Sequence, residues 1–238
     1  DYNCIMDARK RDFDIILQLG YTSNSIWFFL MPKKPINIIN MDGLEWKRSK
    51  YSWPVQKFLK VAEWLAAKSG DYLVADSLGI QSFLMKTYKK ESTYIAYGAH
   101  LFDTPNENIL QEYQVEKGNY NMVMARFEPE NNLDMVLEGV ALNKEDQTPI
   151  LVIGKHETKH GAYLKNKFKD HANIRFIGGI YNLEHLNNLR YFSNLYFHGH
   201  SVGGTNPSLL EAMASQALVI AHNNDFNKGV LKENAYYF

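Results

Sequence analysis

The sequence predicts an α/β fold built on parallel sheets, and three observations predict it. The strand-like segments are short, continuous apolar runs rather than alternating ones, which marks strands buried on both faces. Helical patterns fall between them in the repeating order strand, helix, strand. With 238 residues, the chain has room for one large domain or for two of about 120 residues each, burying roughly 70% of the unfolded surface.

The elements follow in order. In the first half, "DIILQLG" (14–20), "INIIN" (36–40), "YLVAD" (72–76) and "TYIAY" (93–97) read as strands. In the second half, "YNMVMARF" (120–127), "PILVIGK" (149–155), "NIRFIGG" (173–179), "NLYFHG" (194–199) and "ALVIAH" (217–222) do the same. Helical patterns cover 54–68, 77–88, 132–142, 162–169 and 182–192. The polar stretch "FDTPNENILQEYQVEKGN" (102–119) breaks this rhythm and reads as a linker. The expected domains are therefore 1–110 and 111–238. The second is a nearly whole doubly wound domain. The first is incomplete, because only four strand candidates lie in it. The chain starts at Asp1 and stops in the apolar run "AYYF", so both ends read as cut.

Composition excludes several classes. Lys and Arg number 26 against 26 Asp and Glu, so no global field draws the chain to nucleic acid or to a membrane. Cys4 is the only cysteine; there is no disulfide framework, and a reducing, cytoplasmic compartment is expected. No apolar run reaches the roughly 18 residues of a membrane span, and no signal peptide is legible.

The chemistry concentrates in "HGHSVGGTNPSLLEAMA" (198–214). A strand ends near Gly199, and a helix is expected to start with Asn206 as N-cap and Pro207 as first residue. Gly203 and Gly204 then sit in a strand-to-helix turn at the carboxyl end of a parallel strand, where open α/β sheets bind ligands. Backbone N–H groups and the helix dipole favour an anion there, such as a phosphate. Glu211, inside the helix, is a poor phosphate ligand but accepts hydrogen bonds from sugar hydroxyls. A phosphate beside a hydroxyl acceptor describes a nucleotide or a nucleotide-sugar. "MARFEPENN" (124–132) ends another strand of the same domain with Arg126, whose fork suits a diphosphate. A surface salt bridge to Glu128 or Glu130 is the alternative for Arg126.

Together, "ARFEPENN" and "HSVGGTNPSLLEAMA" resemble the C-terminal domain of bacterial GT-B glycosyltransferases of family 4. "NMDGLEWKRSKYSWPVQKFL" (40–59), "VADSLGIQSFL" (74–84) and "YIAYGAHLF" (94–102) resemble its rhamnosyltransferase-like branch of capsule and cell-wall polysaccharide synthesis. The resemblance spans essentially the whole chain. It implies two Rossmann-like domains facing a cleft, and retaining transfer of a sugar, such as L-rhamnose from a dTDP donor, to a glycan or lipid-linked acceptor. It places Glu211 on the nucleotide ribose. The family's first acid maps onto Gly203, so that acid is absent and Gly204, Thr205, Asn206 and Ser208 become donor contacts. The family's Arg maps onto Arg126 and its Lys onto Asn131, which leaves one of two diphosphate cations missing. Ile180 and Tyr181 of "GGIYN" would hold the base, and His200 would line the donor cleft. Asp42, Glu45 and Arg48 are the expected acceptor-side residues, with Tyr21 of "GYTS" beside them; Arg126, Asp42 and Glu45 carry the expected catalytic roles. An ion pair between Glu45 and Arg48 is the alternative for those two, and packing is the alternative for Trp46. Leaving-group stabilisation needs no metal and no cofactor if Arg126 and the helix dipole carry the diphosphate charge.

Other signals are weaker. "HETKH" (156–160) matches the zinc-protease pattern, but it follows a strand directly, whereas that chemistry needs both histidines on one helix. The 54–68 helix interleaves Trp64, Phe58 and Val61 with lysines; packing on the sheet is its plain reading, and peripheral contact with the inner face of the plasma membrane is the alternative. Rival functions are a nucleotide-sugar epimerase of the same fold, a donor-binding fragment without activity, and a zinc hydrolase.

Overall fold

The computed structural model describes residues 1–238. The chain forms two compact units. One holds Asp1–Tyr97 with the loop Val202–Thr205; the other holds Gly98–Ser201 and Asn206–Phe238. No helix is long and apolar enough to cross a membrane.

The first unit runs α1 (Tyr2–Ala8), β1 (Ile15–Gln18), β2 (Ile36–Asn40), α2 (Trp53–Ser69), β3 (Tyr72–Ala75), α3 (Leu78–Tyr88) and β4 (Thr93–Tyr94). Its strands form one parallel sheet in sequence order. α2 begins with Pro54 in its first turn, where the missing N–H costs nothing. Its buried stripe, Leu59, Ala62, Glu63, Ala66 and Ala67, follows helical spacing, and the alanines allow close approach to the sheet. β1 departs from the expected two-sided burial: it is the edge strand, and Ile15 and Leu17 are more than half exposed.

Glu63 interrupts that stripe at 1% exposure. Three donors converge on its carboxylate: the Tyr88 hydroxyl at 2.5 Å, the Trp46 indole N–H at 3.0 Å and the Tyr21 hydroxyl at 3.2 Å. Burial pushes the Glu63 carboxyl up from its ordinary value, and the three hydrogen bonds oppose the rise. Two expectations change here. Tyr21 is 1% exposed and its hydroxyl is shared between Glu63 and the Gly43 carbonyl, so it is a core residue and not an acceptor-side one. Trp46 is likewise tied into this buried network.

The second unit runs β5 (Asn121–Met124), α4 (Leu133–Leu142), β6 (Ile150–Ile153), α5 (Lys159–Lys167), β7 (Ile174–Gly178), α6 (Leu183–Phe192), β8 (Leu195–His198), α7 (Pro207–Ala214), β9 (Val219–Ala221), α8 (Asp225–Leu231) and β10 (Tyr236–Tyr237). All its strand pairs are parallel, in the order β10-β9-β8-β5-β6-β7. This is the doubly wound order of mononucleotide-binding folds. β6 shows why its sequence is continuously apolar. Leu151 and Ile153 enter one core with Leu186, Leu189 and Leu209, while Ile150 and Val152 enter the opposite core with Leu133, Val136 and Leu164. Helices α4 and α5 thus cover one face of the sheet, and α6 and α7 the other.

The expected linker is not one. Residues 102–119 fold into the second unit, whose boundary falls between Tyr97 and Gly98 rather than at 110. Glu107–Tyr113 make a 3₁₀ turn that buries Ile109 and Leu110, and the Asn106 N–H donates to Asn188 at 2.6 Å. Two apolar side chains outweigh the polar composition around them.

The Glu63 network generates a prediction. Replacing Glu63 with Leu strands three donors in the core and is expected to cost about 3–5 kcal/mol. Glu63→Gln, which keeps an acceptor, should cost clearly less. Urea unfolding of the three proteins measures the difference; equal losses for Leu and Gln would mean that volume, not donor satisfaction, sets the cost.

Candidate functional site

Strand order alone locates the candidate site. From β5 the chain moves outward through β6 to β7, then returns to β8 on the other side of β5. Between β5 and β8 the connecting loops diverge, and this switch point leaves a crevice beyond the carboxyl ends of the strands. A cavity of about 430 Å³ occupies that place. The segments following four strands line it: Ala125 and Arg126 after β5, Gly154 and Lys155 after β6, Gly179 to Tyr181 after β7, and Gly199 and His200 after β8.

Two glycines hold these loops together. A Cβ on Gly154 would lie 2.0 Å from the Ala125 carbonyl oxygen, and one on Gly199 would lie 1.9 Å from that of Asn131. Only hydrogen fits at either point, so the loops press directly on one another. The Asn132 amide donates to the Gly199 carbonyl at 2.8 Å, and the Ser201 N–H donates to the Glu130 carbonyl at 3.0 Å. At these two points the wall is backbone packed on backbone, braced by the Asn132 side chain and by a backbone hydrogen bond.

Asn131 stands where the resemblance expects a lysine. It is 5% exposed. Its amide group donates to the Arg126 carbonyl at 2.8 Å, and its oxygen lies 3.0 Å from His200 Nδ1. That arrangement makes Nδ1 the protonated nitrogen of His200. Asn131 braces Arg126 and His200 while lining the cavity. His198 lies beside them, 3% exposed and stacked on Tyr196 with 17° between the rings. Burial, then the neighbouring His200, lowers its pKa to about 3, so it is neutral at ordinary pH.

Four of the remaining donor candidates lie around the same cavity. Asn206 caps α7, accepting from the Ser208 N–H at 3.0 Å, and Pro207 opens the helix as expected. Ser208, Ile180 and Tyr181 line the cavity, and Tyr181 is 88% exposed, a ring face available for stacking. Glu211 sits one turn beyond Ser208 and does not line it. Its carboxylate holds Arg190 at 2.5 Å, and Arg190 is fully buried, with further contacts to Asn187 and the Met124 sulfur. An arginine inside a helix that reads as amphipathic carries no signal in sequence; only its neighbours show what it does.

Lys155 was also missed. It lies two residues past β6, stays exposed, and brings a second cation to the cavity wall that Arg126 also lines. It was legible in "PILVIGK", by the argument used for Arg126 at the end of "YNMVMARF".

Other candidates belong to the first unit. Gly204 and Thr205 are engaged there by Asp76, which follows β3, and Gly203 packs against Gly43. The Thr205 N–H donates to the Asp76 carboxylate at 2.8 Å and its hydroxyl to the Asp76 carbonyl at 3.0 Å. A Cβ on Gly204 would lie 2.3 Å from that carboxylate. Burial, and then the charge of Asp42, raises the Asp76 pKa, against the Thr205 hydrogen bond. Asp42 takes a positive φ of 42° at the turn after β2. Glu45 and Arg48 pair at 2.7 Å with little exposure, so the ion pair is the arrangement present. In "HETKH", α5 begins only at Lys159, so His156 lies outside the helix and the zinc-protease geometry is not made.

Comparisons with known proteins follow the same division. Residues 106–237 match the family described as glycosyl transferases group 1. Residues 34–100 match a domain of unknown function, DUF1972. Among curated proteins, none matches the sequence. Among solved structures, Anabaena HepE in complex with UDP-glucose is 16% identical with a TM-score of 0.82, over 100% of this chain and 67% of that one. A variant of S. aureus TarM in complex with UDP, fondaparinux and alpha-GlcNAc-glycerol is 13% identical with a TM-score of 0.74, over 99% and 48%. Sucrose-phosphate synthase from Thermosynechococcus elongatus is 15% identical with a TM-score of 0.73, over 94% and 60%. The chain thus spans between about half and two thirds of these proteins, and the likeness establishes a GT-B fold.

Two predictions follow from the cavity walls. Gly199→Ala is expected to lower stability by about 2 kcal/mol or more, because a backbone contact must open, and thermal unfolding measures it. For His198 the unfolded chain takes up the proton first as pH falls, so stability is lost between the ordinary value of 6.5 and about 3. From about pH 7.5 to about pH 5 that single group accounts for about 2 kcal/mol. Urea midpoints of the wild type and of His198→Gln at both pH values check it: the variant should lose less on acidification, and parallel losses would sink the assignment.

Proposed function

Because the chain belongs to the glycosyl transferases group 1 family, we propose that it transfers a sugar from a nucleoside-diphosphate sugar to a glycan acceptor, with the donor seated in the second unit. One observation carries this reading: Arg126, Lys155 and the amino end of α7 surround a cavity at the switch point, where Gly154 and Gly199 let the loops pack closely. Two cations and a helix dipole favour a diphosphate. Their charge is worth most when the sugar–phosphate bond breaks and the leaving diphosphate gains negative charge. Lys155 then takes the part of the cation that the resemblance finds missing at Asn131.

The rest of the donor is assigned by chemistry. Tyr181 offers a ring to the base and Ile180 an apolar edge. Asn206, Ser208 and His200 offer hydrogen bonds to phosphate or sugar. The resemblance gives Glu211 the ribose, and Arg190 holds its carboxylate in place. The resemblance assigns Gly203, Gly204 and Thr205 to the sugar and Asp42 to the acceptor side. Retention of anomeric configuration, a dTDP-rhamnose donor and a lipid-linked acceptor in bacterial polysaccharide synthesis come from the resemblance of the sequence blocks. HepE and TarM were crystallised with UDP or UDP-glucose, which supports the donor class. The electrostatics described call for no metal.

Calorimetric titration with dTDP, UDP and GDP tests the reading. One nucleotide should bind, and Arg126→Ala and Lys155→Ala should each weaken it about 10- to 100-fold, the worth of one charged hydrogen bond. Glu211 is best probed as Glu211→Gln, because alanine would leave Arg190 buried and unpaired at about 3–5 kcal/mol and confuse binding with folding. A folded chain that binds no nucleotide overturns the proposal. NMR of the transfer product then reads the sugar and the anomeric configuration.

A further inference from the structure

Helix α2 buries one side against its sheet and leaves an unusual surface on the other. Trp53 is 70% exposed, Phe58 43%, Val61 53% and Trp64 46%. Lys57, Lys60 and Lys68 stand among them. At 100° per residue, positions 53, 57, 60, 61, 64 and 68 share an arc of about 100°. The one acid of the helix, Glu63, is on the buried side. The lysines lie over aromatic rings: Lys57 is 5.4 Å from Trp53, Lys68 is 5.7 Å from Trp64, and Lys60 is 4.8 Å from Trp46. Lys47 and Lys50, in the turn that precedes the helix, extend the same basic surface. The chain as a whole is neutral, so this concentration is local.

We infer that this outer face of α2 docks on an anionic lipid surface. The inference adds a place to the lipid-linked acceptor proposed above and takes only its purpose from that reading; its evidence is the face itself. Indole and phenyl rings beside lysines are the pattern of interfacial helices, with rings at the level of the headgroups and ammonium groups on lipid phosphates. Charge complementarity selects among occupants. A second copy docked by twofold symmetry would set the lysine row against itself, whereas an anionic bilayer presents the opposite charge over the whole face. Next to Trp64, Lys68 and Lys90 flank a hollow of about 310 Å³, which suits a lipid phosphate headgroup.

Flotation of the full chain with vesicles tests this, using phosphatidylcholine alone and phosphatidylcholine mixed with phosphatidylglycerol. Binding to the anionic vesicles should be about ten-fold stronger or more and should weaken as salt rises. Tryptophan emission should shift to the blue on binding. Trp53→Ser with Trp64→Ser, and separately Lys57→Gln with Lys60→Gln and Lys68→Gln, should each cut vesicle binding about ten-fold or more and leave nucleotide affinity unchanged. Three results overturn the inference: no binding to either vesicle, binding that both multiple variants retain, or a dimer in light scattering that the Trp variant dissociates. Vesicle binding without nucleotide binding would sink the proposed function and leave this inference standing.

Discussion

The pairing of β5 with β6 on one side and β8 on the other is the constraint on which the second unit depends. It places β5 at the centre of a parallel sheet, under helices on both faces, so its residues must be apolar in both directions. It also sends successive connections to opposite sides, which opens a crevice at the carboxyl end without any side chain being assigned to make it. Arg126, Lys155 and His200 share one cavity because each follows a strand whose neighbour is set by this pairing. Gly154 and Gly199 are the local cost of the arrangement: where loops leave adjacent strands this closely, no side chain fits between them.

Buried polar groups do the remaining positioning, and three of them meet partners of opposite character. Glu63 has three donors, Arg190 has a carboxylate, and Asn131 divides its amide between the Arg126 carbonyl and His200. Matching matters because an unpaired polar atom at these depths costs more than its hydrogen bond contributes when made. The same rule explains why His198 stays neutral: nothing beside it rewards a charge, and burial penalises one. These groups connect packing to function. Arg190 is a core residue by exposure, yet its contact holds the carboxylate of Glu211, which is partly open to solvent.

The two exposed cations differ from these. Neither Arg126 nor Lys155 is buried, so neither is fixed by the fold alone. Both stand exposed at the edge of a wall of close-packed loops. The outer face of α2 follows the same economy. Its inner stripe meets the demands of the sheet, and its outer residues are free to carry aromatic rings and lysines that folding does not need.

Sequence by itself determined the class of the fold, nearly all of the strands and the order in which helices alternate with them. Continuous apolar runs have one good explanation, and their ends marked the Asn206–Pro207 start of α7 and the cation at Arg126. It also determined the ion pair of Glu45 and Arg48 as an open alternative, because their spacing allows it. Tertiary structure decided the rest, for a common reason: the information lay in partners distant along the chain. Residues 102–119 read as a linker because composition averages over Ile109 and Leu110, and only the core they meet shows their weight. α8 and β10 were too short to register as periods. Tyr21 read as a cleft residue until Glu63, far along the chain, was found to hold its hydroxyl. Arg190 pairs with Glu211 across two helices, and Asp76 engages Thr205 from another part of the chain. Local pattern records what a residue does to its own backbone; which charge it compensates is settled only when the sheet brings the two together.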